Sequence, residues 1–213
     1  MKRILITVCL FACLFSCSND DSITPETQDP GFYALTVGNS WVYKSLRYDF
    51  NGEAYTDIEI IDSVSIVGTE NIFGNSYFKF RTKTSGSPDE EALWSNANGI
   101  MFEFFREVDG SLVNENNQIV FTTTDYTEQI INAQDWGTVF EILVEDLVTV
   151  DVPAGTFECF NKQRYAETSG GVTLPSLDNI YYAEGIGLIY DTKSFATRAT
   201  PEVIRRLDSY NVQ

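Results

Sequence analysis

Along most of the chain, apolar and polar residues alternate with a period of two, the pattern of strands with one buried face. Residues 41–49 open the series, and the longer run 54–67 carries Ile58, Ile60, Val64 and Ile66 on one face. In 77–83, Phe78 and Phe80 point one way and Lys79, Arg81 and Lys83 the other. Strands are further expected near 92–96 and 100–108, over 139–152 and 156–167, on both sides of Gly185 between 181 and 190, and over 203–210. Turn residues separate them: Asn51-Gly52, Gly74-Asn75, Asn98-Gly99, Asp109-Gly110 and Pro153-Ala154-Gly155. Asn and Gly tolerate positive φ, as tight hairpin turns require. One stretch, 125–136, reads as a helix capped by Asp125 with Glu128 three residues on, as in a capping box. About eleven short strands with at most one or two short helices predict a mainly β domain, an antiparallel meander curled into a half-barrel or sandwich.

The first residues follow another pattern. Met1-Lys2-Arg3 is basic, Ile4 to Phe15 is apolar apart from Thr7 and two cysteines, and Ser18 to Ser22 is polar. A basic start, an apolar middle and a small residue before a cut form the plan of an export signal. The run is well short of the roughly 20 residues a membrane-spanning helix needs.

Leu14-Phe15-Ser16-Cys17 resembles the lipobox of bacterial lipoproteins. That resemblance implies cleavage between Ser16 and Cys17 and attachment of diacylglycerol to the Cys17 thiol. Leu10-Phe11-Ala12-Cys13 spells a rival box, but the apolar run continues past it and ends only at Cys17. The chain then divides into a signal peptide (1–16), a Pro- and acid-containing tether (17–31) and a single β-rich domain (32–213). Acyl chains, each buried methylene being worth about 0.8 kcal/mol, would be the link to the membrane. Asp21-Ser22-Ile23 is similar to a bacterial O-glycosylation acceptor, which makes Ser22 a candidate site; Asp62-Ser63-Val64 matches too, but inside an expected strand.

Charge and composition narrow the function. The chain carries 14 basic and 31 acidic residues, a formal charge of −17; loss of Lys2 and Arg3 with the signal takes it from −17 to −19. Such a surface repels nucleic-acid backbones and anionic headgroups. No nucleic-acid partner is expected. The sequence holds no histidine, which removes His-based acid–base chemistry, His-activated nucleophiles and His-ligated metals. After cleavage Cys159 is the one cysteine besides Cys17, so no internal disulfide is expected, and its strand setting reads as a small buried hydrophobe.

The aromatic residues (3 Trp, 11 Tyr, 15 Phe) suit either a filled core or an apolar pocket on a concave sheet. Carboxylates are the remaining candidate catalysts: Asp89-Glu90-Glu91 in a loop, and Glu141 with Glu145 on one strand face. A glycosidase needs two of them facing across a cleft. No catalytic residue, metal or cofactor is assigned on this basis.

Three segments, Gly38-Asn39-Ser40-Trp41-Val42-Tyr43, Val152-Pro153-Ala154-Gly155-Thr156-Phe157 and Tyr182-Ala183-Glu184-Gly185-Ile186-Gly187-Leu188-Ile189, resemble a group of Gram-negative surface-type lipoproteins without assigned activity. The resemblance implies a curled antiparallel sheet similar to that of the LolA/LolB lipoprotein carriers. The expected function is a non-enzymatic binding or assembly domain on the outer membrane or cell surface. Its partner would be an apolar or glycan ligand or another envelope protein. The alternatives are a carboxylate-dependent glycan hydrolase and a purely structural envelope protein.

Overall fold

The computed structural model describes residues 31–87 and 95–213. The signal, Ser16, Cys17, Ser22 and most of the tether lie outside the described residues, as do Trp94, Asp89-Glu90-Glu91 and most of the expected strand near 92–96.

Among the described residues thirteen strands form one antiparallel sheet: β1 (Ser40–Asp49), β2 (Ala54–Ile72), β3 (Asn75–Ser85), β4 (Gly99–Val108), β5 (Ser111–Asn114), β6 (Ile119–Thr122), β7 (Gln129–Gln134), β8 (Gly137–Leu143), β9 (Val148–Val152), β10 (Gly155–Thr168), β11 (Thr173–Ala183), β12 (Gly187–Lys193) and β13 (Val203–Asn211). The first and last strands pair at its centre, Tyr43 opposite Leu207. From there β2 to β6 step outward as one arm, and β12, β11, β10, β8 and β7 as the other. The arms curl toward each other without closing a barrel: β6 and β7 are the two ends of the path.

Where the arms approach, aromatic rings fill the gap. Phe121 of β6 stacks on Tyr182 of β11 at 4.1 Å. Tyr33 enters from a turn before β1 and is 3 % exposed. Its hydroxyl donates to the carbonyl of Gly110 at the β4–β5 tip, 2.8 Å. Leu112, Phe121 and Leu143 pack round it, and a second cluster holds Trp41, Ile66, Cys159, Ile189 and Leu207. Asn39, wholly buried, fixes this entry: its amide donates to the Ala34 carbonyl (2.8 Å) and its side-chain oxygen accepts from Gln213 N (3.0 Å).

The three segments singled out in the sequence are joints of this sheet. Trp41 Nε1 donates to the Ile186 carbonyl (2.8 Å) and the Tyr43 hydroxyl to that of Leu188 (3.0 Å). Gly185 N donates to Phe32 O at 3.0 Å, and Ala154 N to Leu207 O at 3.3 Å. The Gly185-Ile186-Gly187 turn carries φ of 71° at Gly185 and 96° at Gly187, values that favour glycine.

Three expectations need correction. Residues 125–136 are not a helix. Asp125 Oδ1 accepts from Thr127 N at 2.9 Å, an Asx turn rather than a helix cap, and β7 forms a hairpin with β8. Its side chains are all exposed, Ile130 and Ile131 included, so there is no apolar stripe to seat a helix. The expected strand 139–152 is broken: β8 and β9 pair with the same edge of β10, but residues 144–147 stand opposite only Phe160 and Asn161. The extra residues bulge out at Glu145-Asp146, where the charges reach water. At the first hairpin the loop is Phe50–Glu53, and positive φ falls on Glu53 rather than Asn51 or Gly52.

Candidate functional site

Four strands each bring a charged side chain to the inward side of the sheet. Asp62 lies among Ile60, Val64 and Ile66 on β2; Glu103 shares its face with Phe105 on β4. Asp191 follows Ile189 on β12, and Arg205 stands between Val203 and Leu207 on β13. Register brings them together: Asp191 is opposite Arg205, Arg205 opposite Ser45, and Asp62 opposite Tyr43.

Arg205 is the hub. Its Nε donates to Asp191 Oδ1 (2.8 Å) and its Nη2 to Asp191 Oδ2 (2.9 Å), a bidentate pair. Nη1 reaches Asp62 Oδ2 at 3.4 Å, and the guanidinium lies 5.3 Å from the Tyr43 ring centroid. Asp62 Oδ1 also accepts from the Thr84 hydroxyl, 2.5 Å. Burial disfavours the Arg205 charge, but Asp191 and Asp62 outweigh it, so its pKa moves up.

Arg205 lines two adjacent spaces. A chamber of about 200 Å³ is walled by Tyr33, Trp41, Tyr43, Phe80, Phe105 and Tyr182, with Glu103 and Arg205 as its charged groups. Trp41 and Phe80 stack at 6.1 Å, and Phe80 meets Phe105 edge-on at 5.1 Å. Val120, Tyr182, Leu188 and Arg205 also line an open cleft of about 830 Å³ between the two arms. Ile119, Ile130, Ile142 and Ile180 give it apolar walls; Glu141, Lys162 and Arg164 give it a charged one.

Glu103 differs from the other carboxylates. Among the described residues it accepts no hydrogen bond and forms no ion pair. Burial raises its pKa; Arg205 pulls the other way, and Glu115 and Asp62 add to the rise. Glu141, by contrast, is engaged on both oxygens. Lys162 Nζ lies 2.8 Å from Oε2, and Arg164 Nε 2.8 Å from Oε1. Burial opposes its charge, but Lys162 and Arg164 prevail and its pKa is lowered.

Of the carboxylates named in the sequence, Glu141 and Glu145 do not face each other across a cleft. Glu141 is tied into this triplet, and Glu145 sits outward in the bulge. Ser63 lies mid-strand in β2, between Val42 and Lys83 of its neighbours. Trp41 lines the chamber, whereas Trp136 is half exposed on the β7–β8 tip. The loop after β5 is closed on itself, Asn114 Oδ1 accepting from the backbone N of Asn116 and Gln118. Sequence reasoning missed Glu103, Asp191 and Arg205. The available signal was a charge falling in the apolar row of a strand whose other residues point inward.

A scan of protein-family models finds no match for the chain, and a search of curated proteins finds none. Among solved structures, the chain is similar to a Bacteroides fragilis protein described as an exported protein with a YmcC-like fold. The TM-score is 0.50 at 12% identity, over 85% of this chain and 99% of that one. A protein of Parabacteroides distasonis described as a lipoprotein matches with a TM-score of 0.43 at 13% identity, over 86% and 100%. At these identities the first likeness concerns the fold.

Proposed function

We propose that this protein is an envelope lipoprotein, anchored to the outer membrane through acylated Cys17, whose curled sheet binds a small molecule without transforming it. The observation that carries the binding role is the aromatic chamber beside the inter-arm cleft, with Arg205 on the wall of both. A concave, largely apolar space with a few placed polar groups is the usual form of a ligand site. The anchor rests on the lipobox, the polar tether behind it and the acidic surface. The Bacteroides fragilis protein of similar fold is described as exported, which agrees with that location. The half-closed curl also agrees with a LolA/LolB-like carrier sheet.

Two measurements test the parts separately. Mass spectrometry of the mature N-terminus should find diacylated Cys17; an intact Met1 or an unmodified Cys17 would remove the anchor. Titration with the neutral apolar dye prodan should be saturable and change Trp41 fluorescence. Val120→Trp, which places a large ring where chamber and cleft meet, should weaken it at least tenfold. Absence of saturable dye binding would favour a structural envelope protein.

The glycan-hydrolase reading has one observation in its favour, the raised pKa of Glu103 inside a cavity. Against it, the two aspartates of the Arg205 group, Asp62 and Asp191, are both engaged by that guanidinium.

A further inference from the structure

We propose that the chamber selects a small organic cation, an amine or quaternary ammonium on a compact apolar body, with Glu103 as its counter-ion. This rests on the interior-binding reading above and names the ligand class for the same space.

Three features of the chamber lead there. Its walls are aromatic on several sides: Tyr33, Trp41, Tyr43, Phe80, Phe105 and Tyr182. Ring faces attract cations through their quadrupoles, by about 0.5–1 kcal/mol at exposed sites and about 2 kcal/mol when water is excluded. The protein already uses this attraction inside, since Arg205 sits over Tyr43 at 5.3 Å.

Charge makes the second point. Among the described residues, Arg205 is the cation on the chamber wall, and Asp191 and Asp62 both hold it before Glu103 is counted. Arg205 is thus engaged by carboxylates outside the chamber, and an ionised Glu103 is the wall charge that no ion pair holds among the described residues. An anionic ligand would have to displace Asp191 from a bidentate pair at 2.8 and 2.9 Å. A cationic one meets a carboxylate that accepts no hydrogen bond among the described residues. Burying an unpaired carboxylate is costly, and a partner arriving with the ligand repays that cost.

Size is the third. About 200 Å³ is below the usual range for drug-sized ligands, roughly 300–1,000 Å³. It suits a head group or small amine, with any longer substituent running out into the cleft past Val120 and Leu188.

The test uses three probes of one shape on the mature full-length protein: choline, its neutral isostere 3,3-dimethylbutan-1-ol, and the anion 3,3-dimethylbutanoate. Calorimetry and Trp41 fluorescence should rank choline tightest, about tenfold over the neutral isostere, with the anion weakest. Glu103→Gln should abolish the preference for choline over its neutral isostere. Phe80→Leu, which removes a ring face but no charge, should also reduce choline binding. Thermal unfolding of both variants checks that they fold. If the neutral or anionic probe binds as well as choline, or Glu103→Gln keeps the preference, the cation assignment is wrong, although the chamber still binds. If prodan binds and none of the three probes does, the assignment fails alone. If nothing binds, the interior-binding reading falls with it.

Discussion

Lys162 Nζ lies 2.8 Å from Glu141 Oε2 and, on its other side, donates to the carbonyl of Val120 at 2.7 Å. Glu141 belongs to β8 and Val120 to β6, so one ammonium ties the ends of the two arms together. Both ionised side chains are 9 % exposed. Burial pushes the Lys162 pKa down while Glu141 pulls it back up, so the charge depends on its partner.

Replacing this lysine should therefore cost more than a surface ion pair does. Lys162→Met leaves Glu141 buried with Arg164 as its remaining cation, and leaves the Val120 carbonyl without its donor. The expected loss is about 3 kcal/mol, near the low end for breaking a buried pair because Arg164 stays. Urea unfolding measures it. A loss below about 1 kcal/mol, the range of surface pairs, would show that the latch does not hold the arms.

Stability in mild acid should reflect two glutamates with opposite signs. The folded-state pKa of Glu141 is lowered, so its contribution is present above the unfolded value of about 4.3 and is lost as pH falls through the folded pKa. That of Glu103 is raised, so the folded state pays for its charge at neutral pH and recovers stability as pH falls toward about 4.3. The charged groups acting on Glu103 are Arg205, Glu115 and Asp62. Urea unfolding between pH 3 and 8 should lose its acid-side fall in Glu141→Gln and its gain above about 4.3 in Glu103→Gln. Unchanged profiles in both variants would contradict these assignments.

Gly137 starts β8, and a methyl group there would sit 2.0 Å from the Glu167 carbonyl of β10. The obstacle is backbone, so Gly137→Ala should cost about 1–3 kcal/mol by overpacking. Gly68, at a bulge in β2, has nothing within 4 Å of the corresponding position and no positive φ. Gly68→Ala should be tolerated. Equal melting temperatures for the two variants would refute the contrast.

Cys159 is wholly buried, and burial pushes its thiol pKa up to about 12. Since the thiolate is the reactive form, iodoacetamide at pH 8 should modify it only on unfolding, with labelling rising together with the urea transition. Rapid labelling of the folded protein would place the thiol elsewhere than in the core.

Much of this fold was legible because a strand's side-chain period is two. The alternation at 54–67 and 77–83 identified β2 and β3, and Asp109-Gly110 forms the tight turn expected, with φ of 49° and 76°. The errors arose where local pattern was a poor guide. Residues 125–136 offered polar residues that read as caps, and pairing with β8 made them an edge strand. Residues 139–152 kept their alternation across a bulge that only the facing edge of β10 reveals.

The sequence by itself determined the alternating rows, most of the turns, the acidic and histidine-free chemistry, and the signal-like start with its cysteine. Those are properties of neighbouring residues and of composition. The tertiary structure decided where the rows meet: β1 pairs with both β13 and β2, which brings Arg205, opposite Asp191 on β12, within reach of Asp62, more than 140 positions away. It also decided that the curl leaves a chamber beside Glu103 between the packed clusters. Long-range pairing and curvature depend on how whole strands register and twist against one another, and no local pattern encodes that.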